Sequence, residues 1–259
     1  MEKGKKIYFA SDFHLGVPSY EKSLEREKRI VKWLETIEED CEELYLLGDV
    51  FDFWFEYKTV VPRGFVRLLG KLAELSDRGI TIHYFTGNHD MWTFDYLVKE
   101  LNVKLYREPI EKTYNGKSFY IGHGDGLGPG DHGYKFIKKV FASKLCQWLF
   151  RWMHPDIGLA IGNYWSGKSR IATGTVDEIF LGEEKEWLVI HSKELLEKKQ
   201  YDFLVFGHRH LPLDIDLTPA LSIGEGEKRS RYVNLGDWIR YNSYAVFDGE
   251  KFELKYFQK

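Results

Sequence analysis

Short apolar runs that end in polar residues recur along the chain. Six of them are present: KIYFASD, ELYLLGD, TIHYFTGNHD, SFYIGHGD, YDFLVFGHRH and RYVNLGD. Their length and composition are typical of buried strands, and each run delivers Asp, Asn or His at its carboxyl end. The pattern therefore predicts strands that place polar side chains at the edge where open α/β sheets bind their ligands.

Segments with helical periodicity lie between the first of these predicted strands. Leu24 to Ile37 form a charged amphipathic pattern, and apolar residues recur at helical spacing from Phe65 to Leu75, after Pro62. Strands that alternate with helices predict βαβ units in a parallel or mixed sheet. Near the end of the chain, SYAVFDGEKFELKYF has two strand-like runs around a turn, which predicts a hairpin at a sheet edge. We expect an α/β sandwich of layers.

One segment, His132 to Val176, interrupts this rhythm. It contains one acidic residue, Asp156, and seven basic ones: Lys135, Lys138, Lys139, Lys144, Arg151, Lys168 and Arg170. A single solvated amphipathic helix is the simpler alternative, but the apolar positions at 148, 149, 150, 152 and 153 run around most of a helix. We therefore predict an inserted helical cap over residues 132–176, with an apolar groove and a basic rim. The core domain would comprise residues 1–131 and 177–259.

Bulk composition limits the class of protein. The 259 residues are 43% hydrophobic and 30% charged, which is typical of a soluble globular protein. A net charge of −3 does not argue for a nucleic-acid partner. Two distant cysteines favour a reducing compartment, and we find neither a signal peptide nor a run of about 18 apolar residues. We expect a cytoplasmic protein, peripheral on the inner face of the cytoplasmic membrane.

The polar residues at the strand ends form a set of candidate metal ligands. They are Asp12, His14, Asp49, Asn88, His123, His208 and His210. Mixed carboxylate, amide and imidazole ligands are typical of sites for Mn²⁺, Fe or Zn²⁺. They differ from the thiolate-rich ligand sets of structural zinc. Each motif alone is more often a turn or a hydrogen-bonded histidine than a metal site. Five motifs in order favour two metals, with Asp49 as the shared ligand.

The series D-x-H, G-D-x-x-D, G-N-H-D, G-H-G and G-H-x-H resembles the calcineurin-like metallophosphoesterase superfamily. The resemblance spans Asp12 to Asp237 and implies a four-layered α/β/β/α fold around a dinuclear metal centre. By motif position it implies two ligand sets: Asp12, His14, Asp49 and His210 for the first metal, and Asp49, Asn88, His123 and His208 for the second. It also implies two divalent ions, for which we expect Mn²⁺, and hydrolysis of a phosphoester by water.

Three further features resemble the UDP-2,3-diacylglucosamine hydrolase family of lipid A biosynthesis. They are GDVFDFW, the segment inserted after GHGDGLGPGD, and NLGDW. The resemblance implies hydrolysis of the pyrophosphate of UDP-2,3-diacylglucosamine to UMP and 2,3-diacylglucosamine 1-phosphate. An apolar cap suits acyl chains, and a basic rim suits both a pyrophosphate and an anionic membrane surface. The implied substrate-binding residues are Asp131, Ser166 and Arg170.

One position departs from that family. Its best-known members carry Arg where this chain has His89, whereas the wider superfamily has His. The resemblance implies that His89 either protonates the leaving group or stabilises its developing charge, with Asp52 as its carboxylate partner. A leaving phosphate monoester hardly needs a proton, so charge stabilisation is the expected role.

Two other functions remain open from the sequence. Another phosphoesterase of the superfamily, such as a nuclease or a protein phosphatase, would use the same metal ligands. A nuclease is expected to show a long basic track rather than one compact apolar cap. A non-catalytic scaffold is expected to lack ligands, and none is missing here.

Overall fold

A computed structural model gives the fold of the chain and describes residues 1–128, 132–173, 179–217 and 229–258. Seven helices and eleven strands lie within these ranges. In chain order they are β1 (Lys6–Ala10), α1 (Tyr20–Ile37), β2 (Cys41–Leu47), α2 (Val66–Asp77), β3 (Thr81–Phe85), α3 (Tyr96–Leu101), β4 (Lys104–Tyr106), β5 (Ile110–Tyr114), β6 (Lys117–Gly122), α4 (His132–Ala142), α5 (Lys144–Arg151), α6 (Pro155–Thr173), α7 (Trp187–Leu196), β7 (Phe203–Phe206), β8 (Pro212–Asp216), β9 (Arg231–Leu235), β10 (Ser243–Phe247) and β11 (Phe252–Tyr256).

These strands form two mixed sheets. The first has the order β11-β10-β1-β2-β3-β4, in which β1 to β4 run parallel and β10 is antiparallel to both of its neighbours. The second has the order β5-β6-β7-β9-β8, with three parallel strands at its centre and an antiparallel strand at each edge. The predicted βαβ units and the edge hairpin are confirmed.

Apolar clusters on both faces of each sheet hold four layers together. In β2, Leu46 belongs to the cluster beneath α1 and α2, whereas its neighbour Tyr45 belongs to the cluster between the sheets. This alternation follows from the period of two in a strand. On the far side of the second sheet, Leu188 of α7 packs with Leu204 of β7. The layers are therefore helix, sheet, sheet and helix, as predicted.

The first helix starts earlier than its apolar periodicity indicates. Periodicity begins at Leu24, whereas α1 begins at Tyr20 because Ser19 caps it. The Ser19 side chain accepts a hydrogen bond of 3.3 Å from the backbone N–H of Lys22. Such a cap satisfies a backbone donor that the first helical turn leaves without a partner.

Helices α4, α5 and α6 occupy the predicted insert. Phe150 of α5 attaches it to the core, because its ring centroid lies 4.6 Å from that of Phe55 and 4.7 Å from that of Trp92. Other large apolar side chains of the insert are exposed, Trp152 to 76%. The division into a core and a cap at residues 132–176 stays a prediction. In the described ranges, no helix is long and apolar enough to cross a bilayer.

Candidate metal centre

The residues at five strand ends converge on one place. They are Asp12 and His14 after β1, Asp49 after β2, Asn88 after β3, His123 after β6, and His208 and His210 after β7. The carboxyl ends of parallel strands meet at the same edge of a sheet. Both sheets contribute, because β1 to β3 belong to the first and β6 and β7 to the second.

Much of this set has a left-handed backbone. Five members have φ between 44° and 66°: Asp12, His14, Asp49, His208 and His210. Such a conformation costs a residue other than glycine roughly 1–2 kcal/mol, so it persists only where the surrounding structure enforces it. Backbone hydrogen bonds do so here, from Asp12 N to Gly48 O at 3.1 Å and from His14 N to Asp49 O at 2.9 Å. Strain of this kind is typical of functional sites.

The first ligand group is compact. Side-chain ligand atoms of four residues all lie within 4.8 Å of one another: Asp12, His14, Asp49 and His210. His14 Nε2 lies 3.7 Å from Asp12 Oδ1, 3.7 Å from Asp49 Oδ2 and 3.0 Å from His210 Nε2. Four donor atoms that face one another at this spacing suit a metal ion at their centre.

The second ligand group shares Asp49 with the first. Ligand atoms of Asp49, His123 and His208 also lie within 4.8 Å of one another. His123 Nε2 is 3.4 Å from Asp49 Oδ2 and 3.3 Å from Asn88 Oδ1. His123 Nδ1 lies 2.6 Å from Leu47 O, so an N–H there would donate to this carbonyl and leave Nε2 as the ligand atom. The seven predicted residues are thus brought together, with Asp49 in the shared position.

Buried ligand atoms in both groups lack a hydrogen-bond partner within the described ranges. These atoms are Asp12 Oδ1, Asp49 Oδ2 and His208 Nδ1. Buried polar atoms nearly always have a partner, and an exception points to an ion or water that binds there. Carboxylate oxygens, an amide oxygen and imidazole nitrogens in this arrangement fit divalent metal ions.

Electrostatics favour a cation at this centre. Burial alone would raise the pKa of Asp49, but the nearby His123 and His89 hold it well below its usual range. Burial would likewise lower the pKa of His14, yet the neighbouring carboxylates of Asp12 and Asp52 raise it to about 10. The pKa of His123 rises to about 10 against the effect of burial, because Asp49 lies beside it. The carboxylates therefore stabilise positive charge here.

Comparison with known proteins identifies the family. The family model for calcineurin-like phosphoesterases matches residues 5–212 of the chain. The chain belongs to this family. As a calcineurin-like phosphoesterase it is a phosphoester hydrolase, and its ligand set fits the divalent metals that such an enzyme uses.

Curated relatives match almost the whole chain. The UDP-2,3-diacylglucosamine hydrolase of Porphyromonas gingivalis is 41% identical over 96% of this chain and 97% of its own length. The enzyme of the same name from Aeromonas salmonicida is 27% identical over 84% and 81%. Among solved structures, the phosphoesterase YfcE of E. coli covers 95% of this chain and 90% of its own, with 15% identity and a TM-score of 0.43.

His89 of this calcineurin-like phosphoesterase lies beside the metal ligands but contacts Asp52 through its backbone. His89 Nδ1 lies 2.9 Å from the backbone oxygen of Asp52, which accepts a hydrogen bond if this nitrogen is protonated. The same nitrogen lies 3.9 Å from the Asp52 carboxylate oxygen Oδ1. The Asp52 carboxylate instead accepts a hydrogen bond from Ser166 Oγ of α6. Ser166 Oγ also lies 3.1 Å from His89 Nδ1. Burial lowers the pKa of His89, despite the nearby Asp49.

An apolar cavity of about 390 Å³ opens beside His89. Asn88, His89, Asp52 and Ser166 line it on the side of the centre. Apolar residues from the core and from α4 to α6 form its walls: Phe53, Trp54, Met91, Trp92, Ile137, Phe141, Phe150, Met153, Ile161 and Trp165. Its volume lies in the range of small-molecule sites, and its walls suit an aliphatic group.

Two carboxylates that the sequence analysis did not single out support the centre. The buried Asp90 accepts hydrogen bonds from Gly87 N at 2.7 Å and Val50 N at 3.0 Å, which fixes two of the ligand loops. The buried Asp125 forms an ion pair of 2.7 Å with Lys138 of α4. Asp90 ends the motif GNHD and Asp125 ends the motif GHGD. Their position after a candidate ligand was the signal in the sequence that could have identified them.

Two predicted substrate-binding residues fall outside this description. Asp131 lies outside the described residues. Arg170 belongs to α6, but its side chain is not among those described. Ser166 is described: it is buried, it contacts Asp52 and His89, and it lines the cavity. A substrate-binding role for these three residues stays a prediction.

Proposed function

We propose that this phosphoesterase hydrolyses the pyrophosphate of UDP-2,3-diacylglucosamine to UMP and 2,3-diacylglucosamine 1-phosphate. The observation that carries the proposal is the apolar cavity beside Asn88 and His89. A nucleotide sugar without acyl chains has no group that matches such walls, whereas an acyl chain does. The 41% identity to a hydrolase of that name, over nearly the full length of both chains, supports the same substrate.

The proposed metals are two Mn²⁺ ions. Asp12, His14, Asp49 and His210 would hold the first, and Asp49, Asn88, His123 and His208 the second. When bound, such ions supply Lewis-acid polarisation of the phosphoryl oxygens and activate water. The buried oxygens Asp12 Oδ1 and Asp49 Oδ2 support this assignment, because each lacks a hydrogen-bond partner within the described ranges and a bound cation would compensate its negative charge.

His89 and Asp52 are the proposed catalytic residues outside the ligand set. The Nδ1–H of His89 would donate to the Asp52 backbone carbonyl, so Nε2 can donate a hydrogen bond to a developing negative charge only when the ring is protonated. Charge stabilisation through Nε2 is the proposed role of His89. Asp52 would orient it through the backbone carbonyl that lies 2.9 Å from His89 Nδ1. Asp131, Ser166 and Arg170 are the proposed substrate-binding residues.

The insert of residues 132–176 is proposed to be a cap that binds both the acyl chains and an anionic membrane surface. Its outer face exposes Phe136, Leu145, Trp148, Leu149 and Trp152. Lys139 and Lys144 on the same helices are exposed cations. Aromatic and basic residues together are typical of surfaces that rest on anionic headgroups.

A substrate panel tests the proposed reaction. Purified protein with Mn²⁺ would be assayed with UDP-2,3-diacylglucosamine, UDP-N-acetylglucosamine and single-stranded DNA. We expect UMP release from the acylated substrate at a rate at least tenfold above that from the others. A tenfold difference corresponds to about 1.4 kcal/mol, which burial of an acyl chain in the cavity can supply. Equal rates with and without acyl chains, or cleavage of DNA, would refute the proposed substrate.

One phenylalanine variant and one tryptophan variant test the role of the cavity. Phe141 lines the cavity, whereas Trp148 lies on the exposed face of the next helix. We expect Phe141→Ser to raise the KM for the acylated substrate by more than that for bis(p-nitrophenyl) phosphate. Trp148→Ser is the matched control for solution assays without membranes, and the same loss in both variants would contradict a binding role for the cavity.

Vesicle binding tests the membrane surface. The double variant Leu145→Ser and Trp152→Ser removes two exposed apolar side chains of the cap. We expect it to co-sediment with anionic phosphatidylglycerol vesicles at least about tenfold more weakly than the unchanged protein. Val66→Ser is the control, because Val66 is 72% exposed on α2, outside the insert. No difference between the two variants would argue against membrane contact through the cap.

A further inference from the structure

Lys138 of α4 stands at the junction between the apolar cavity and the metal centre. It lines the cavity together with Asn88, His89 and Asp52. Of the described residues that line this cavity, Lys138 is the one lysine or arginine. A positive charge where the apolar walls of the cavity meet the polar residues of the centre indicates a ligand with an anionic group at that point.

Asp125 holds the Lys138 ammonium in place. Lys138 Nζ lies 2.7 Å from Asp125 Oδ2 and donates a hydrogen bond of 3.1 Å to Asp125 O. An ammonium group has three N–H donors, so two contacts with one residue leave a third for a ligand. The Lys138 side chain is 32% exposed, whereas that of Asp125 is 6% exposed. The anchored lysine has therefore lost part of its rotamer freedom before a ligand arrives, which lowers the entropy cost of binding.

We propose that Lys138 binds the phosphate of the leaving group, the phosphate that stays on the acylated sugar. This inference rests on the proposed function and names the residue that recognises one half of the pyrophosphate. In the substrate the order is acyl chain, sugar, phosphate and attacked phosphorus. With the chain in the cavity and the attacked phosphorus at the metal centre, the phosphate between them lies at the junction that Lys138 lines.

The reaction explains why a cation is needed there. Water adds its oxygen to the phosphorus that becomes UMP, and the bond from that phosphorus to the bridging oxygen breaks. The bridging oxygen leaves with the acylated sugar phosphate, and a proton from the water passes to solvent. The leaving phosphate gains negative charge as the bond breaks, so an ammonium group next to it stabilises the transition state more than the substrate.

Inhibition by dodecyl phosphate tests this assignment directly. Dodecyl phosphate combines an aliphatic tail with a phosphate monoester, and it would be titrated against hydrolysis of bis(p-nitrophenyl) phosphate. We expect Lys138→Met to raise its inhibition constant about tenfold, since a charge-assisted hydrogen bond is lost. Lys138→Arg should retain most of the affinity. Lys139→Met is the matched control, because Lys139 is the next residue on the same helix and is exposed.

Dodecanol separates a charge effect from a change of cavity shape. If Lys138→Met weakens dodecyl phosphate and dodecanol equally, or if Lys139→Met has the same effect as Lys138→Met, the proposal is wrong. Lys138→Gln replaces Lys138→Met if that variant fails to fold. UMP release by the unchanged protein is measured in parallel. A protein that releases no UMP, yet needs Lys138 to bind dodecyl phosphate, refutes the proposed substrate and leaves the phosphate site standing.

Discussion

Replacing Ser166 by alanine tests how the insert is connected to the catalytic residues. Ser166 is buried on α6, where it donates a hydrogen bond to the Asp52 carboxylate and lies 3.1 Å from His89 Nδ1. The change removes one hydroxyl that touches both proposed catalytic residues. If Ser166 positions them, the effect should appear in turnover with any phosphodiester, whether or not it carries an acyl chain.

The size of the effect follows from the contact that is lost. A hydrogen bond to a charged group contributes about 1.5–3 kcal/mol, and about 1.4 kcal/mol corresponds to a tenfold change in rate. We therefore expect Ser166→Ala to lower kcat for bis(p-nitrophenyl) phosphate by about 10- to 100-fold, with little change in KM. The free energy of unfolding should fall by about 1–3 kcal/mol, because the buried Asp52 carboxylate loses a donor.

A double-mutant cycle distinguishes positioning from substrate binding. Kinetics would be measured for Ser166→Ala, His89→Gln and the double variant. We expect the double variant to lose little more than His89→Gln alone, because both changes disable the same unit. Gly167→Ala is the control, since a Cβ at Gly167 meets no atom within 4 Å. Multiplicative effects, or a Ser166→Ala effect confined to the KM of the acylated substrate, would refute the positioning role.

Three further changes give separate predictions. Asp49→Ala should lower turnover about a hundredfold or more and reduce the metal content measured by mass spectrometry, and near-normal values of both would exclude a shared ligand. Gly162→Ala should cost about 1–3 kcal/mol of unfolding free energy, because its Cβ would come within 2.3 Å of Phe53 Cζ; Phe53→Leu should restore part of it, and an unchanged melting temperature would contradict this packing. Burial raises the pKa of Glu43, but hydrogen bonds, first that of His83, lower it from 4.5 to about 2, so the unfolded chain binds the proton first. Up to about 3 kcal/mol of stability, present above pH 4.5, should be lost as the pH falls towards 2, and urea unfolding of Glu43→Gln should lack this loss; an equal slope would refute it.

The strand ends were predictable from the sequence because one physical rule connects them. Apolar runs of strand length must be buried, and parallel strands end at a common edge, so Asp12, Asp49 and Asn88 had to approach one another. The contact between Ser166 and Asp52 joins residues 114 positions apart, one in the insert and one in the core. Periodicity assigns Ser166 to a helix but does not give the rotation of that helix against the core. The sequence analysis therefore predicted a substrate-binding role for Ser166 but not its contact with Asp52.

The same limit applies to Lys138. In the sequence it is one of seven basic residues in the insert, and its charge does not distinguish it from Lys139. The packing of α4 separates the two, because Lys138 turns towards Asp125 and the cavity, while Lys139 remains exposed. A basic segment thus divides into side chains of different function only when its tertiary contacts are known.

The glycines of the motifs provide space for ligand side chains from neighbouring loops. Gly87 and Asn88 tolerate a left-handed backbone, which favours a turn in TGNHDMW, but neither residue has a positive φ. A Cβ at Gly87 would instead lie 2.2 Å from Asp49 Oδ1, and one at Gly207 would lie 2.6 Å from Asp12 Oδ2. Glycine is therefore required at both positions because a carboxylate oxygen occupies the space of its missing side chain. The left-handed conformations are those of Asp12 and Asp49 themselves. The backbone strain therefore lies at the ligand residues, and a glycine of a neighbouring loop leaves room for each carboxylate.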